Sequence, residues 1–192
     1  HDRRGTYRID LARREGDSLC IQVHPTMVPA ESMMGAVEEE FNAVALLADH
    51  ADSIFFSGKG AGAKPTGSSV VADLVAAARC LAAREKIQPF LMYRPQEAPE
   101  ITLTKNVKAS YYLRMKVIDR PGVLGKVSTV LGEHQVSISR VVQHSTTPDG
   151  EAVIVIITHK CEHQNLKQAA EVLNGLPVLK EKVIIIQIEA DV

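Results

Sequence analysis

The chain has 192 residues, of which 45% are apolar and 23% charged, with no Trp. This composition is typical of a folded protein with an aliphatic core and excludes a disordered or collagen-like chain. The first hundred residues carry 11 basic and 14 acidic side chains and the remainder carry 11 and 9, so the net charge is -1. Neither half is basic enough for a protein that binds phosphate backbones, and no nucleic-acid partner is expected.

The cysteines and the apolar runs indicate the cellular setting. Cys20, Cys80 and Cys161 are widely spaced and odd in number, which argues against a disulfide framework and favours the cytoplasm. The longest apolar runs, such as residues 183–186, are far shorter than the roughly 20 residues that span a membrane, so no membrane contact is expected. Because the chain opens with His1 and not with Met, we expect it to be part of a longer protein.

The first half of the chain predicts strands and one helix. Residues 19–23 form a predicted strand that continues as an extended segment to residue 29, and residues 41–47 and 53–56 are two further strands. The glycine-rich residues 58–67 then lead into a helix. Its apolar stripe consists of Val70, Val71, Leu74, Val75, Ala78 and Leu81.

A proline-rich segment separates the two halves. Residues 88–99 contain three prolines and show no apolar periodicity. Each proline removes a backbone donor and disfavours helix at the preceding residue, which predicts an extended linker. We therefore divide the chain into a first region over residues 1–84, a linker over 85–109 and a second domain over 110–190.

The second half predicts a regular alternation of strands and helices. Alternating apolar and basic residues mark the first strand, and apolar stripes mark the helices. The order βαββαβ predicts an α+β fold of the ferredoxin-like kind, with a four-stranded antiparallel sheet and two helices on one face. The predicted elements are a strand (113–117), a helix (123–131), two strands (136–143 and 152–158), a helix (166–173) and a last strand (183–188).

The sharpest local feature is the turn Asp119-Arg120-Pro121-Gly122. Pro121 fixes the backbone angle of a helix start, and Gly122 has no side chain to block a ligand. The amides from Val123 onward lie at the positive end of the helix, where a carboxylate binds well, and Asp119 could meet an ammonium group. The turn therefore predicts a site for a free amino acid, with a plain Asx turn as the equally open alternative.

The glycine loop lies between a strand and a helix, as nucleotide-binding turns do. It contains Gly58-x-Gly60-x-Gly62, however, and matches neither the full G-x-G-x-x-G fingerprint nor the phosphate-binding loop. Two alternatives are a flexible connection and a backbone segment that approaches a ligand held mainly by another domain.

Other reactive side chains indicate structure more than chemistry. His159, Cys161 and His163 straddle a strand-to-helix junction that would scatter them, so we expect surface and capping roles and no metal site. His24 is expected to fix an extended segment, and the acidic residues 38–40 to form a solvated face. The spacing of Ser, His, Asp and Cys residues predicts no catalytic triad.

Two sets of motifs resemble known families. Residues 111–189, with the turn from Asp119 to Leu124, resemble an ACT domain, a small module that binds amino acids, usually between paired copies. The upstream motifs resemble the late catalytic region of homoserine dehydrogenase, and the two resemblances together cover residues 7–189. The upstream motifs are Val23-His24-Pro25-Thr26-x-x-Pro29, Phe41-Asn42-Ala43-Val44 and Gly58-x-Gly60-Ala61-Gly62-Ala63-x-Pro65-Thr66-x-Ser68-x-Val70-Val71-x-Asp73.

The resemblance implies an NAD(P)-dependent oxidoreductase that interconverts L-homoserine and L-aspartate 4-semialdehyde in threonine and methionine biosynthesis. It also implies a dimer or tetramer, feedback inhibition by L-threonine, and packing of the helix after the glycine loop on a nucleotide-binding domain. The residues expected to contact NAD or NADP are Gly58, Gly60, Ala61, Gly62 and Thr66. Those expected to contact the amino-acid effector are Asp119, Gly122, Val123, Leu124 and Ser137.

The chain also departs from the family pattern. The family's N-terminal dinucleotide-binding fold, catalytic lysines and substrate carboxylates find no match, and the first lysine is Lys59, inside the glycine loop. We therefore predict that no catalytic residue lies in this chain and that the chain alone does not turn over NAD(P). Two alternatives stay open. One is a non-enzymatic amino-acid-binding regulatory protein whose first half serves dimerisation, and the other is an independent nucleotide-binding protein.

Overall fold

The computed structural model describes residues 6–83, 101–104, 107–143 and 148–190. Of the predicted linker at residues 85–109, residues 85–100 and 105–106 lie outside these ranges. In chain order the elements are β1 (Thr6–Glu15), β2 (Ser18–Met27), β3 (Phe41–Ala48), β4 (Asp52–Lys59), α1 (Ala63–Ala83), β5 (Thr102–Leu103), β6 (Lys108–Ile118), α2 (Val123–Glu133), β7 (Ile138–Gln143), β8 (Glu151–Thr158), β9 (Cys161–Glu162), α3 (His163–Asn174) and β10 (Ile184–Ile188).

These elements form two compact units. The sheet unit takes its residues from His1–Pro29 and Ile101–Asp191, and the hairpin unit takes its residues from Ala30–Glu100. This grouping differs from the predicted division, which placed residues 1–84 in one region. The reason is that β2 pairs in parallel with β10, with Thr26 opposite Gln187, and carries β1 with it as an antiparallel hairpin.

The predicted ferredoxin-like fold is confirmed in the sheet unit. The strands β10, β6, β8 and β7 are neighbours in that order, and each pair is antiparallel. The alternation predicted for β6 follows from its burial, because every second residue from Ala109 to Val117 is buried while its neighbours are not. The stripes of α2 and α3 pack on this buried face. Their buried residues are Val123, Val127, Val130 and Leu131 on α2 and Leu166, Ala169, Ala170 and Leu173 on α3.

The sheet is wider than the sequence indicates. Its path runs β1-β2-β10-β6-β8-β7, with the short strands β5 and β9 attached to β2 and β6. The sequence pattern predicts β2 but not β1, although Ile9 and Leu11 of β1 are less exposed than Asp10 between them. The interspersed charged residues hide this alternation. Both β5 and the start of β6 fall within residues 85–109, which the sequence analysis assigns to the linker.

The hairpin unit consists of β3, β4 and α1. The two strands pair from Phe41 opposite Lys59 to Ala48 opposite Asp52. No side chain of α1 is buried, and the predicted apolar stripe is largely exposed, with Leu74 64% and Leu81 76% accessible. Among the residues described, α1 is also the one helix long and apolar enough to cross a membrane.

Candidate effector site and glycine loop

The turn predicted to bind an amino acid lies beside a cavity of about 430 Å³. The cavity is placed where β6 ends and α2 begins. Gly122 is the N-cap of α2 and has φ 87° and ψ −6°, a left-handed conformation that glycine adopts without a steric penalty. Residues that line the cavity include Val117, Asp119, Gly122, Leu124, Gln143 and Ile154.

The first amides of α2 are not all available to a ligand. The Val123 N–H donates to the Arg120 carbonyl at 3.3 Å, which corrects the expectation that its amide is open. The first helical bond is from the Lys126 N–H to the Gly122 carbonyl at 3.0 Å. The amides of Leu124 and Gly125 belong to the first turn, where a helix offers no internal acceptor. Because α2 has no acidic residue in its first turn, its positive end is not neutralised by its own side chains.

Asp119 faces the neighbouring edge strand. Its backbone N–H donates to the Gly150 carbonyl at 2.9 Å, and its Oδ1 accepts from Nε2 of Gln143 at 3.3 Å. The residue is exposed, so its carboxylate can still meet a ligand's ammonium group. An exposed carboxylate beside first-turn amides is complementary to the two charges of a free amino acid. Val117 and Ile154 supply apolar wall to the same cavity.

Ser137 does not join this site in a single copy of the chain. Both β7 and β6 are antiparallel to β8, so β7 runs in the same direction as β6. The residue before β7 therefore lies near the start of β6, and the Ser137 carbonyl accepts from the His159 N–H at 2.9 Å. The five steps from Ile138 to Gln143 span about 17 Å. In this chain Ser137 cannot contact a ligand held at the turn.

Gln143 takes the place predicted for Ser137. It is the last residue of β7, lines the cavity and donates to Asp119. No motif in the sequence marks it. Only the direction of β7, which follows from the predicted βαββαβ order, would have indicated that the end of this strand reaches the turn.

Two glycines of the loop, Gly60 and Gly62, each have a separate structural reason. A Cβ on Gly60 would overlap the side chain of Asn42, and the Gly60 N–H donates to the Glu40 carbonyl at 2.8 Å. Gly62 has φ 116°, which favours glycine, and its carbonyl accepts from the Thr66 N–H at 3.1 Å. Gly60 is therefore required by packing against β3. A ligand is not needed to explain it.

Charged side chains fix the base of this loop. Lys59 Nζ lies 2.6 Å from Glu40 Oε1 and 5.5 Å from the centre of the Phe41 ring. The hydrogen bond from Lys59 lowers the pKa of Glu40. One member of the acidic run at residues 38–40 thus holds the loop, whereas Glu38 and Glu39 are exposed as expected.

The loop residues fit a partial contact with a dinucleotide. Gly58, Gly60, Ala61, Gly62 and Thr66 are all exposed. A Cβ at Gly58 would meet no atom within 4 Å, so that backbone is open to approach. Helix α1 begins at Ala63, inside the predicted loop, so Thr66 lies in its first turn. This turn has no acidic residue, which suits phosphate or carboxamide oxygens. The exposed loop can cover one side of a cofactor whose remaining surface is held elsewhere.

The alternating His and Cys residues serve packing. Tyr111 Oη lies 3.3 Å from His163 Nδ1 in a partly buried pair. Burial raises the pKa of Tyr111 to about 12, raises that of Cys161 and lowers that of His163, so all three are uncharged at neutral pH. No group of three His, Cys, Asp or Glu side chains in the described ranges could hold a metal ion. Within the described part of the chain, the ring of His24 bonds to near neighbours in β2, among them Thr26 Oγ1 at 3.1 Å.

Comparison with known proteins places both units in one family. A family model described as homoserine dehydrogenase matches residues 4–75, and one described as ACT domain matches residues 111–178. A homoserine dehydrogenase from Neisseria gonorrhoeae is 33% identical over 190 residues, covering 96% of this chain and 44% of the relative. One from Bacillus subtilis is 32% identical over 174 residues, covering 90% and 40%.

A solved structure agrees with these matches. The crystal structure of a homoserine dehydrogenase from Thiobacillus denitrificans superimposes with a TM-score of 0.80 at 29% identity, over 97% of this chain and 43% of that one. The chain thus spans less than half the length of the relatives that it matches. It belongs to the homoserine dehydrogenase family and corresponds to a C-terminal portion that includes an ACT domain.

Proposed function

We propose that this chain is the ACT-bearing part of an NAD(P)-dependent homoserine dehydrogenase and that its turn binds L-threonine as a feedback inhibitor. The reaction is the interconversion of L-homoserine and L-aspartate 4-semialdehyde. The observation that carries the effector assignment is the cavity beside Gly122, which is lined by Asp119 with its carboxylate and by Leu124 with its first-turn amide. These groups match the ammonium and carboxylate of an amino acid.

The remaining contacts favour a small amino acid. Gln143 lines the cavity, and its amide can bond a ligand's hydroxyl as well as Asp119. Leu124, which is 38% exposed, offers apolar surface for a methyl group. Threonine carries both a hydroxyl and a methyl on a short side chain. It can therefore form the hydrogen bond with Gln143 and the apolar contact at the same time.

For the dehydrogenase reaction, this chain supplies a cofactor contact and a docking helix. When bound, NAD(P) supplies the hydride transfer. The exposed backbone of Gly58 and Ala61 would contact the cofactor from one side, and the start of α1 would face its polar groups. No catalytic residue is assigned to the chain, so the purified 192-residue chain is expected to show no NAD(P)-dependent oxidation of homoserine.

The stripe of α1 suits a protein partner better than a lipid one. At 100° per residue, Asp73 falls off the stripe formed by Val70, Leu74 and Leu81. An aspartate near the middle of a membrane-spanning helix would cost about 2.5–3.5 kcal/mol. One apolar side and one polar side are what a helix needs to lie on another domain. The nucleotide-binding domain of the longer enzyme is the proposed partner.

The edge strand β7 is the proposed surface for self-association. It ends the described path of the sheet, and Val141 and Val142 are 37% and 42% exposed. An unpaired edge invites pairing with a second copy. Because Gln143 lies on the same strand, such a dimer would place the effector cavity near its interface, and the affinity for threonine would rise with protein concentration.

A titration with L-threonine tests the effector assignment. At about 100 times its dissociation constant, threonine should stabilise the purified chain by about 2.7 kcal/mol, read as a rise in melting temperature. Asp119→Asn keeps the size of the side chain but removes its charge, and should weaken threonine binding about tenfold. Glu171→Gln removes one negative charge from an exposed position on α3 and serves as the matched control.

Two results would contradict the assignment. One is a melting temperature unchanged by threonine and by its close relatives serine and homoserine. The other is an equal loss of affinity in the Asp119 and Glu171 variants, which would assign the effect to overall charge.

One observation favours the alternative of a non-enzymatic sensor. The effector cavity and the apolar core that supports it both lie within the sheet unit. Amino-acid binding therefore needs no part of the hairpin unit. An experiment on the hairpin unit distinguishes the two functions. If the chain is part of a dehydrogenase, it should bind a separately produced nucleotide-binding domain of the family through α1 and gain NAD(P)-dependent activity. If it is a sensor, it should do neither.

A further inference from the structure

A second cavity lies at the opposite end of β6 from the effector cavity. It has a volume of about 210 Å³ and is lined by residues from β1, the start of β6, the segment after β8 and the end of β10. Ser110 lines this cavity and Val117 lines the effector cavity. Their separation along β6 corresponds to about 24 Å at 3.4 Å per residue. The two cavities are therefore independent sites.

A partly buried ion pair forms one wall. Arg13 Nη2 lies 3.0 Å from Glu189 Oε2, and the two side chains are 31% and 7% exposed. The charge of Glu189 is thus balanced within the protein. A guanidinium has five N–H donors in a planar fork, and the contact with Glu189 is made by Nη2. The exposed part of Arg13 can offer further donors to a carboxylate.

The rest of the lining has an excess of positive charge. Lys108 and Lys160 are both exposed at the rim, so the lining carries three cationic side chains against one carboxylate. Lys108 Nζ also lies 3.3 Å from Oε1 of Glu162, which does not line the cavity. The Lys108 side chain is 70% exposed in this surface ion pair. Such exposed pairs are weak and exchange readily with a ligand. Ser110 adds a hydroxyl.

We propose that this cavity binds a small organic carboxylate as a second ligand of the sheet unit. Its volume equals that of about seven water molecules in the liquid, more than a phosphate ion would fill. The apolar side chains of Ala109, Ile157 and Ile188 line it beside the charged groups. A ligand with a short carbon chain can pack against these apolar residues while its carboxylate binds Arg13 and the lysines.

The position of the cavity gives its ligand a structural effect. Arg13 belongs to the segment matched by the dehydrogenase family model, whereas Ser110 and Ile188 belong to strands of the ACT sheet. A carboxylate bound between them would hold the hairpin of β1 and β2 against that sheet. The ligand would therefore stabilise the attachment of the two family segments to each other within the sheet unit.

Titration of the isotope-labelled 192-residue chain tests the proposal by amide NMR. The probes are succinate, glutarate and inorganic phosphate, each against sodium chloride of equal ionic strength. Succinate or glutarate should shift the amides of Ser110, Lys160 and Ile188 saturably and leave those of Gly122 and Leu124 unmoved. L-threonine should give the reverse pattern, so a failure at either cavity is distinguishable from a failure at the other.

The variants are chosen so that the buried pair stays intact. Arg13→Gln would leave Glu189 buried without its partner, so the main variant is Lys108→Gln with Lys160→Gln. It should weaken carboxylate binding about fivefold, as expected for the loss of two exposed charge contacts. Lys167→Gln with Lys182→Gln removes the same charge from exposed positions outside the lining and should bind as the parent does.

Arg13→Lys completes the set because it keeps the charge beside Glu189 but loses the planar fork. It should weaken carboxylate binding and leave the melting temperature without ligand nearly unchanged. The proposal is overturned if sodium chloride reproduces the shifts, if phosphate saturates the site at lower concentration than either dicarboxylate, or if the control pair loses as much affinity as the main variant.

Discussion

Replacing Gly122 with alanine tests the geometry on which the effector cavity depends. A Cβ at this position would meet no atom within 4 Å, so the substitution creates no clash. The whole cost is conformational, because φ is 87° and an L-residue in the left-handed region loses about 1–2 kcal/mol. Gly122→Ala should therefore lower the free energy of unfolding by that amount.

Gly132 offers a matched control on the same helix. It is exposed, lies in the last turn of α2, and a Cβ there would also meet no atom within 4 Å. Alanine in a helical position is favoured over glycine by up to about 1 kcal/mol, so Gly132→Ala should leave the protein as stable or more stable. Urea unfolding followed by circular dichroism measures the free energy of unfolding of both variants. The dependence of that free energy on urea concentration should stay unchanged. The reasoning is refuted if Gly122→Ala is as stable as the parent or if both variants shift in the same direction.

Three further predictions follow from single contacts. Gly60→Ala should destabilise the hairpin unit by about 1–3 kcal/mol through overlap with Asn42, and adding Asn42→Ala should recover most of the loss in a double-mutant cycle of thermal unfolding. Cys80 is half-buried whereas the other two cysteines are buried, so iodoacetamide at neutral pH should modify Cys80 first, as peptide mass mapping would show. The hydrogen bond from Lys116 lowers the pKa of Glu151, so the pair's stabilisation is complete above pH 4.5, the unfolded value, and is lost as pH falls through the folded value. In Lys116→Met this loss of stability at low pH should disappear, as a comparison of unfolding midpoints measured over a series of pH values would show.

The ferredoxin-like half was predictable because its signals are local. The alternation along β6 and the apolar stripes of α2 and α3 each arise within a single element. The addition of β1 and β2 to the sheet was not predictable in this way. It depends on the pairing of Thr26 with Gln187, two residues far apart in the sequence. No local sequence pattern specifies which strand of the sheet β2 will pair with.

The candidate sites show the same difference between features with a local sequence signal and features that depend on long-range contacts. The turn at Asp119 and Gly122 was predicted from its residue types, because Pro121 fixes the backbone angle of a helix start and Gly122 leaves room for a ligand. The left-handed conformation of Gly122 was seen only in the structure. Ser137 was expected at that turn because the family resemblance implies it, whereas in a single copy of the chain the direction of β7 brings Gln143 there. The cavity at Arg13 had no sequence signal, since it depends on the contact of Arg13 in β1 with Glu189 after β10, two residues far apart in the sequence.

The two units should differ sharply in their resistance to protease. No residue from 30 to 83 is buried, whereas the sheet unit buries a cluster that includes Leu113, Ile156 and Leu173 with no exposed surface. A two-stranded hairpin with an uncovered helix is marginal by itself, so trypsin should cut the purified chain first at Lys59 and Arg79. The two flanking pieces should remain together in gel filtration, because β2 stays paired with β10 and Arg13 with Glu189. Early cleavage within β6 or α3, with residues 59 and 79 protected, would show that the apolar surface of the hairpin unit is covered within this chain. Separation of the flanking pieces without denaturant would show that the contacts of β2 with β10 and of Arg13 with Glu189 do not hold the sheet unit together.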